Sequence, residues 1–234
     1  MSMERLDKLL ASTGRWSRSE VKRLVREGRV LVNGRIAASA EEKFDSDCAA
    51  FSVDGESVQL RSFAYVMLHK PAGVLSATED GKGKTVLDLL PEPYRKRGLF
   101  PVGRLDKDTE GLLLLTDDGQ LAHALLSPKK HVDKLYYARV DGTLDETDVT
   151  AFEAGMTLGD GLACLPAGLE IVSPHEALVT LREGKFHQIK RMFAARGKPV
   201  LYLKRLAMGR LSLDPALAPG EWRELTAEEE NLLK

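Results

Sequence analysis

The sequence predicts an α+β protein, a small α/β module followed by a larger domain with a mixed or antiparallel sheet. Three observations predict it. A capped amphipathic helix and a tight hairpin fall within the first 60 residues. After residue 65, strand-like and helix-like stretches interleave without regular βαβ spacing. Several of those strands look hairpin-linked, which argues against a doubly wound sheet. The expected boundaries are a first module at residues 1–60, a linker at 61–64 and a second domain at 65–234.

The elements follow in order. Residues 4–13 read as a helix, with Leu6, Leu9 and Leu10 at helical spacing. Ser17 is an N-cap, and Glu20 three residues later completes a capping box. The helix behind it turns Val21, Leu24 and Val25 inward. Arg18, Lys22, Arg26 and Arg29 fall on the other face, and Gly28 ends the helix. Asn33-Gly34 is the strongest short hairpin signal available. A second strand pair is expected over residues 50–59, turning at Asp54-Gly55. Beyond the linker, 65–70 reads as a strand stopped by Pro71, and 86–90 as a short helix. Residues 99–102 are a short apolar stretch. The leucines 112–115, with Thr116, read as a buried strand because their apolar run is continuous. A helix at 118–126, a strand at 134–140 and a helix at 145–155 come next. Strands at 169–172 and 177–182, a helix at 187–196 and a strand at 199–203 complete the reading.

Composition narrows the class. The chain has 234 residues, of which 43% are hydrophobic and 29% charged, ordinary for a soluble globular protein. No stretch approaches the roughly 18 apolar residues of a membrane span. The charged start shows no secretory signal. Cys48 and Cys164 make neither a metal-ligand pair nor a disulfide framework by spacing, so a reducing cytoplasm is expected. A monomer is expected, with no membrane partner.

The net charge of −1 argues against a nucleic-acid protein, but its distribution reverses that impression. Residues 15–35 carry seven Lys or Arg against two Glu, and residues 182–210 carry nine against one. Residues 214–234 hold six acids and two bases. One basic run alone reads as a solvated helix face; two runs and an acidic tail suggest basic binding surfaces.

The stretch Arg5-Leu-Asp-Lys-Leu-Leu-Ala, with Ser17-Arg-Ser-Glu-Val-Lys-Arg-Leu-Val-Arg-Glu-Gly-Arg-Val-Leu-Val-Asn-Gly, resembles the S4 RNA-binding domain. The resemblance covers roughly residues 3–60 and implies docking on structured RNA through Arg5, Lys8, Arg18, Lys22, Arg23, Arg26 and Arg29. The residues themselves agree. They offer guanidinium and ammonium groups for phosphates and no aromatic row for single-stranded bases, so shape and backbone contacts should dominate.

Chemistry concentrates in Gly103-Arg-Leu-Asp-Lys-Asp-Thr-Glu-Gly-Leu-Leu-Leu-Leu-Thr. As a calcium loop it fails, because Asp117 stands where a bidentate Glu is needed and Leu114 occupies the ninth place. As a phosphatase motif it fails at Glu110. As a site for a reactive carboxylate it works. Leu105 and the leucines 112–115 supply a dry wall, and burial of an ionised acid calls for a neighbouring cation. Lys190 or Arg191, in Gly184-Lys-Phe-His-Gln-Ile-Lys-Arg-Met, can reach it. Taken alone, these basic residues read equally as a helix surface. In Lys134-Leu-Tyr-Tyr-Ala-Arg-Val, Tyr136 and Ala138 share one strand face, Tyr137 and Arg139 the other. A tyrosine there suits either a core or a stacked base.

These three stretches, in this order, resemble the pseudouridine synthases of the small-subunit type. Supporting segments are Met67-Leu-His-Lys-Pro71 and Leu203-Lys-Arg205 with Gly209. The resemblance implies that a uridine in ribosomal RNA, free or in an assembly intermediate, is isomerised to pseudouridine without metal or organic cofactor. It implies Asp106 as the catalytic carboxylate and Tyr136 stacking on the target base and aiding proton transfer. Lys190 pairs with Asp106, and Arg104 holds the everted nucleotide. Leu105, Leu203 and Arg205 join it on the substrate side. His69 stands where the family usually has Asn and receives no role. The position of Lys190 is often Arg, and an ammonium lacks the guanidinium fork. The chain's ending suggests the enzyme of 16S rRNA, the type acting at position 516, with 23S rRNA the alternative. Two other classes compete: a non-catalytic RNA-binding or ribosome-assembly protein, and a metal-dependent hydrolase using Asp106 and Asp108.

Overall fold

The computed structural model describes every residue except 1, 2, 14, 47, 59, 61, 62, 128, 129, 131 and 234. The chain gathers into two units. One holds the chain up to Ala64 together with Leu90–Leu99; the other holds Tyr65–Leu89 and the chain from Phe100 on. Arg61 and Ser62 of the expected linker, and Gln59 of the second strand pair, lie outside the described residues.

In the first unit, strand Met3–Arg5 pairs with Lys43–Asp45, and helix Leu6–Ser12 follows at once. The expected helix from residue 4 therefore starts two residues later, because Glu4 and Arg5 are spent on the strand pair. The Ser17–Glu20 capping box forms, and helix Arg18–Arg26 buries Val21, Leu24 and Val25. Asn33 and Gly34 both adopt positive φ, 50° and 77°, and close the hairpin Val30–Val32 with Arg35–Ile36. A four-stranded antiparallel sheet results, and the two helices and this sheet share one apolar core around Leu6, Leu10, Val21 and Val30.

The second unit is built on a nine-stranded mixed sheet. Its main order is Gly168–Ser173, Glu176–Leu181, Lys134–Val140, Val200–Met208, Glu110–Thr116, Tyr65–Lys70 and Trp222–Glu224. All these neighbours run antiparallel except one pair. Val200–Met208 lies parallel to Glu110–Thr116, with Lys204 opposite Glu110 and Arg205 opposite Gly111. Parallel strands enter a sheet from the same end. The loop carrying Asp106, which leads into the first strand, therefore lies beside helix Gln188–Ala195, which leads into the second.

The leucines 112–115 are fully buried. Both faces of their strand are covered, which is why the apolar run is continuous instead of alternating. Leu112 and Leu114 share a cluster with Met67, Leu125, Met208 and Leu225.

Several elements depart from the reading. Val86–Leu89 is a 3₁₀ turn, and Glu92–Lys96 is a short helix that proline and charge concealed. His187 is not helical. It takes φ 50° and ψ 33°, and the helix begins at Gln188. The strand expected at 199–203 is Val200–Met208, a central strand whose polar residues mask its length. The acidic tail is folded. Trp222–Glu224 pairs with Tyr65–Lys70, and Ala227–Leu232 is helical. Arg223 holds that tail together through Asp214 at 2.7 Å and Glu229 at 2.6 Å.

The close parallel pairing depends on Gly111. A Cβ there would stand 2.2 Å from the Arg205 carbonyl oxygen, and its φ of +106° is strained for any other residue. Gly111→Ala should lower unfolding free energy by about 3 kcal/mol or more, measured by urea denaturation. Gly34→Ala, where a Cβ meets open space, should cost less.

Candidate active site

The Asp106 loop is fixed from beneath. Leu105 donates its N–H to the Ser76 hydroxyl at 3.1 Å, and its carbonyl accepts from that hydroxyl at 2.9 Å. Gly73 donates to the Lys107 carbonyl at 2.7 Å. Lys70, fully buried at the end of its strand, donates to the carbonyls of Pro71, Lys107 and Thr109 at 3.0, 3.2 and 2.9 Å. Three donations satisfy a whole ammonium. Burial pushes the Lys70 ammonium down to about 8, against the pull of Asp108, Asp106 and Glu110. At the strand end, Tyr202 donates to Glu110 at 2.7 Å across the parallel pair.

Above this floor, the carboxylates meet cations from the basic stretch. Lys190 Nζ lies 3.1 Å from Asp106 and 2.5 Å from Asp108. The Asp106 side chain is 25% exposed and that of Asp108 is 75% exposed, so the two acids sit at different depths. The hydrogen bond from Lys190 holds the Asp108 carboxyl below its usual range, against some desolvation. His187 Nε2 stands 3.6 Å from the other Asp106 oxygen. Arg191, the alternative partner, instead pairs with Asp160 at 2.5 Å.

Asp106 opens onto a cleft of about 420 Å³, counting its mouth. Arg104, Leu105, Tyr136 and Leu203 line it with Asp106, and so do Thr109, Lys185 and His187. Tyr136 is buried on the same strand face as Ala138 and Val140, while Arg139 on the other face is exposed. The structure thus brings Asp106, Tyr136, Lys190, Arg104, Leu105 and Leu203 together. It does not bring Arg205 to the cleft wall. Arg205 is 1% exposed and donates through Nε to the Leu112 carbonyl at 2.8 Å. Its neighbours on both sides are strands, and the Nε contact ties the parallel pair together.

Sequence reasoning missed four contributors. Asp108 enters the sequence reading only as an acid of the hydrolase alternative, not as a partner of Lys190. Lys70 carries one signal in the sequence, a lysine ending an apolar strand before Pro71, but no task follows from it there. Ser76 gave none. His187 was absorbed into the helix. His69 is also accounted for: its Nδ1 bonds the Leu217 carbonyl at 2.6 Å, fastening the C-terminal segment to the sheet.

In the first unit, the seven expected RNA-binding residues divide. Arg5 is held by Asp7 at 2.9 Å and Glu41 at 3.0 Å, Lys8 by Glu4 at 2.5 Å, and Arg29 by Asp54 at 2.6 Å. Arg18, Lys22, Arg23 and Arg26 project from the exposed face of their helix, with Arg23 3.7 Å from Glu27. Among the described residues, no three His, Cys, Asp or Glu side chains cluster as metal ligands.

Comparison with known proteins decides the family. The model of the RNA pseudouridylate synthase family matches residues 64–195, and that of the S4 domain matches residues 4–46. The chain belongs to the RNA pseudouridine synthases. As a pseudouridine synthase it is an isomerase. A Bacillus subtilis protein called an uncharacterized RNA pseudouridine synthase is 52% identical to it, covering 98% of each chain. The Vibrio cholerae protein named ribosomal small subunit pseudouridine synthase A is 41% identical, covering 96% of this chain and 97% of its own. A solved pseudouridylate synthase superposes with a TM-score of 0.70 at 35% identity, covering 99% of this synthase and all of its own chain.

Lys70 offers a test of the floor beneath the site. Lys70→Met strands the Pro71 and Thr109 carbonyls, while that of Lys107 keeps Gly73, and should lower unfolding free energy by about 2–4 kcal/mol in urea. In the unfolded chain this ammonium regains its ordinary value of 10.5. Between about pH 8 and that value the unfolded chain binds more protons, so this group makes stability rise with pH. The advantage of the native protein over Lys70→Met should therefore widen between about pH 7 and about pH 9.5.

Proposed function

We propose that the protein converts one uridine of small-subunit ribosomal RNA to pseudouridine, with Asp106 as its catalytic carboxylate. One observation carries this reading. A single acid faces a cleft while a lysine 3.1 Å away and a backbone clamp on its own loop fix its direction. The choice of RNA rests on relatives. Proteins of Vibrio cholerae and Pseudomonas aeruginosa named for the ribosomal small subunit are 41% and 42% identical over nearly the whole chain.

The reaction is an isomerisation. The bond between uracil N1 and ribose C1′ breaks, C5 bonds to C1′, the C5 proton leaves to solvent and N1 gains one. No oxidant or reductant enters the balance. Eversion of the uridine costs a few kcal/mol of lost stacking and pairing, offset by contacts in the cleft. Tyr136 supplies a ring against the uracil and a hydroxyl near the ribose. Leu105 and Leu203 wall the base off from water, and Arg104 at the mouth holds the backbone. Asp106 acts at the ribose, by attack on C1′ or by taking the C2′ proton. Lys190 offsets two carboxylates that would otherwise repel each other and the arriving phosphates. The basic face of Arg18–Arg26 serves as the docking surface of the S4 module, whose contacts to phosphate position the RNA without reading its sequence. The module spans residues 1–60 in this proposal, and the catalytic domain begins at 65.

The test is modification mapping. Ribosomal RNA from cells lacking the protein should miss one pseudouridine in the small-subunit RNA, position 516 being the first to inspect, detected by carbodiimide treatment and primer extension. A plasmid copy carrying Asp106→Ala should fail to restore it, with a purified activity at least about 10⁴-fold below normal. Asp108→Asn should retain activity within about tenfold, since Lys190 keeps its deeper partner. A missing modification in the large-subunit RNA instead would replace the substrate. Restoration by the Asp106→Ala copy would remove the catalytic assignment.

A further inference from the structure

Phe186 stands next to the cleft and has no task in the reaction described above. It is 72% exposed, the most exposed of the large hydrophobic side chains among the described residues. Single apolar residues on a surface need no explanation by themselves. Three further observations set this one apart.

The first is its stacking. The Phe186 and His187 rings are 3.8 Å apart between centroids and 17° from parallel. Consecutive residues of an extended chain point to opposite sides. Here His187 adopts the left-handed conformation, φ 50° and ψ 33°, and the two rings come together. That conformation is uncommon for a residue other than glycine, and such strain concentrates at functional sites. The second observation is rigidity. The buried Gln188 accepts from the Lys185 N–H at 3.1 Å and donates to Glu183 at 2.6 Å. Glu183 also accepts from the Leu165 N–H at 2.8 Å, and Lys185 donates to the Ala163 carbonyl. The turn that presents Phe186 is therefore anchored on both sides. The third is position. Gly184, Lys185, His187 and Gln188 all line the Asp106 cleft, so Phe186 sits at its rim beside a cation.

We propose that the Phe186–His187 stack is a platform for a base flanking the everted uridine. The inference rests on the reading of the Asp106 cleft as the uridine site. When a nucleotide leaves the stack, its neighbours lose an aromatic partner on one face. Phe186 offers an open ring face at the edge of the pocket that receives the everted base, and Arg104 brings positive charge for the adjoining phosphates. Stacking of this kind is strong and tolerant of sequence, because every base has a π-face. The platform therefore steadies the opened RNA and favours flanking bases that stack well, without reading their edges.

The test uses ribosomal RNA labelled with tritium at uracil C5, isolated from cells lacking the protein, because each conversion releases that tritium to water. Phe186→Ala and Phe186→Leu should each raise KM about tenfold, while kcat stays within about twofold and the melting temperature is unchanged. Phe186→Trp should keep the native KM. Leucine matches phenylalanine in bulk and apolarity but has no ring, so a native KM in Phe186→Leu or Phe186→Ala overturns the proposal. Equal loss in Phe186→Trp overturns it too. If the unaltered protein releases no tritium, the ribosomal uridine reading fails, and the platform fails with it. Normal release by the unaltered protein with unchanged variants removes the platform alone.

Discussion

The site depends on one pair of parallel strands. Elsewhere in the main order of the large sheet every neighbouring pair runs antiparallel. The pairing of Val200–Met208 with Glu110–Thr116 brings two distant segments, the Asp106 loop and the basic helix, to the same end. Close approach at that pair requires a residue without a side chain, and Gly111 provides it. The buried Arg205 then ties the same two strands through the Leu112 carbonyl. Glycine and arginine, which look unrelated in sequence, serve one contact.

Charge at this end is arranged in layers. Lys70 lies underneath and touches only carbonyl oxygens. Asp106 occupies the middle, and Lys190 spans from it to Asp108 at the surface. The lower ammonium holds backbone, and the upper one holds side chains. A loop fixed in both ways keeps its carboxylate aimed without help from the RNA, which is the preorganisation that catalysis by positioning requires.

Much of this was legible in the residues. The capping box at Ser17 and Glu20, the Asn33-Gly34 turn and the leucine strand act through local rules, and local rules can be read from a window of sequence. The need of Asp106 for a cation was legible from its greasy surroundings, with Lys190 or Arg191 as the partner; only the family pattern chose Lys190, since the basic stretch alone reads equally as a helix surface. What stayed hidden is non-local. The strand Val200–Met208 carries Lys204 and Arg205, which disguise a central strand as an exposed one. The pairing of Trp222–Glu224 with Tyr65–Lys70 joins residues more than 150 positions apart, beyond the reach of any local pattern. The left-handed turn at His187 interrupts a pattern that is otherwise helical, and no periodicity announces it. The burial of Arg205 between two strands was hidden too, because arginine beside a functional motif gives no sign of being enclosed.

Lys190 faces one carboxylate that is mostly sheltered and another that stands in water. Dissolved ions weaken attractions in water far more than sheltered ones. When the ionic strength of the surroundings rises, the bond to Asp108 slackens first, and the ammonium is left to its inner neighbour. The outer acid thus acts as a buffer against the medium, and the geometry around Asp106 tolerates a change in salt.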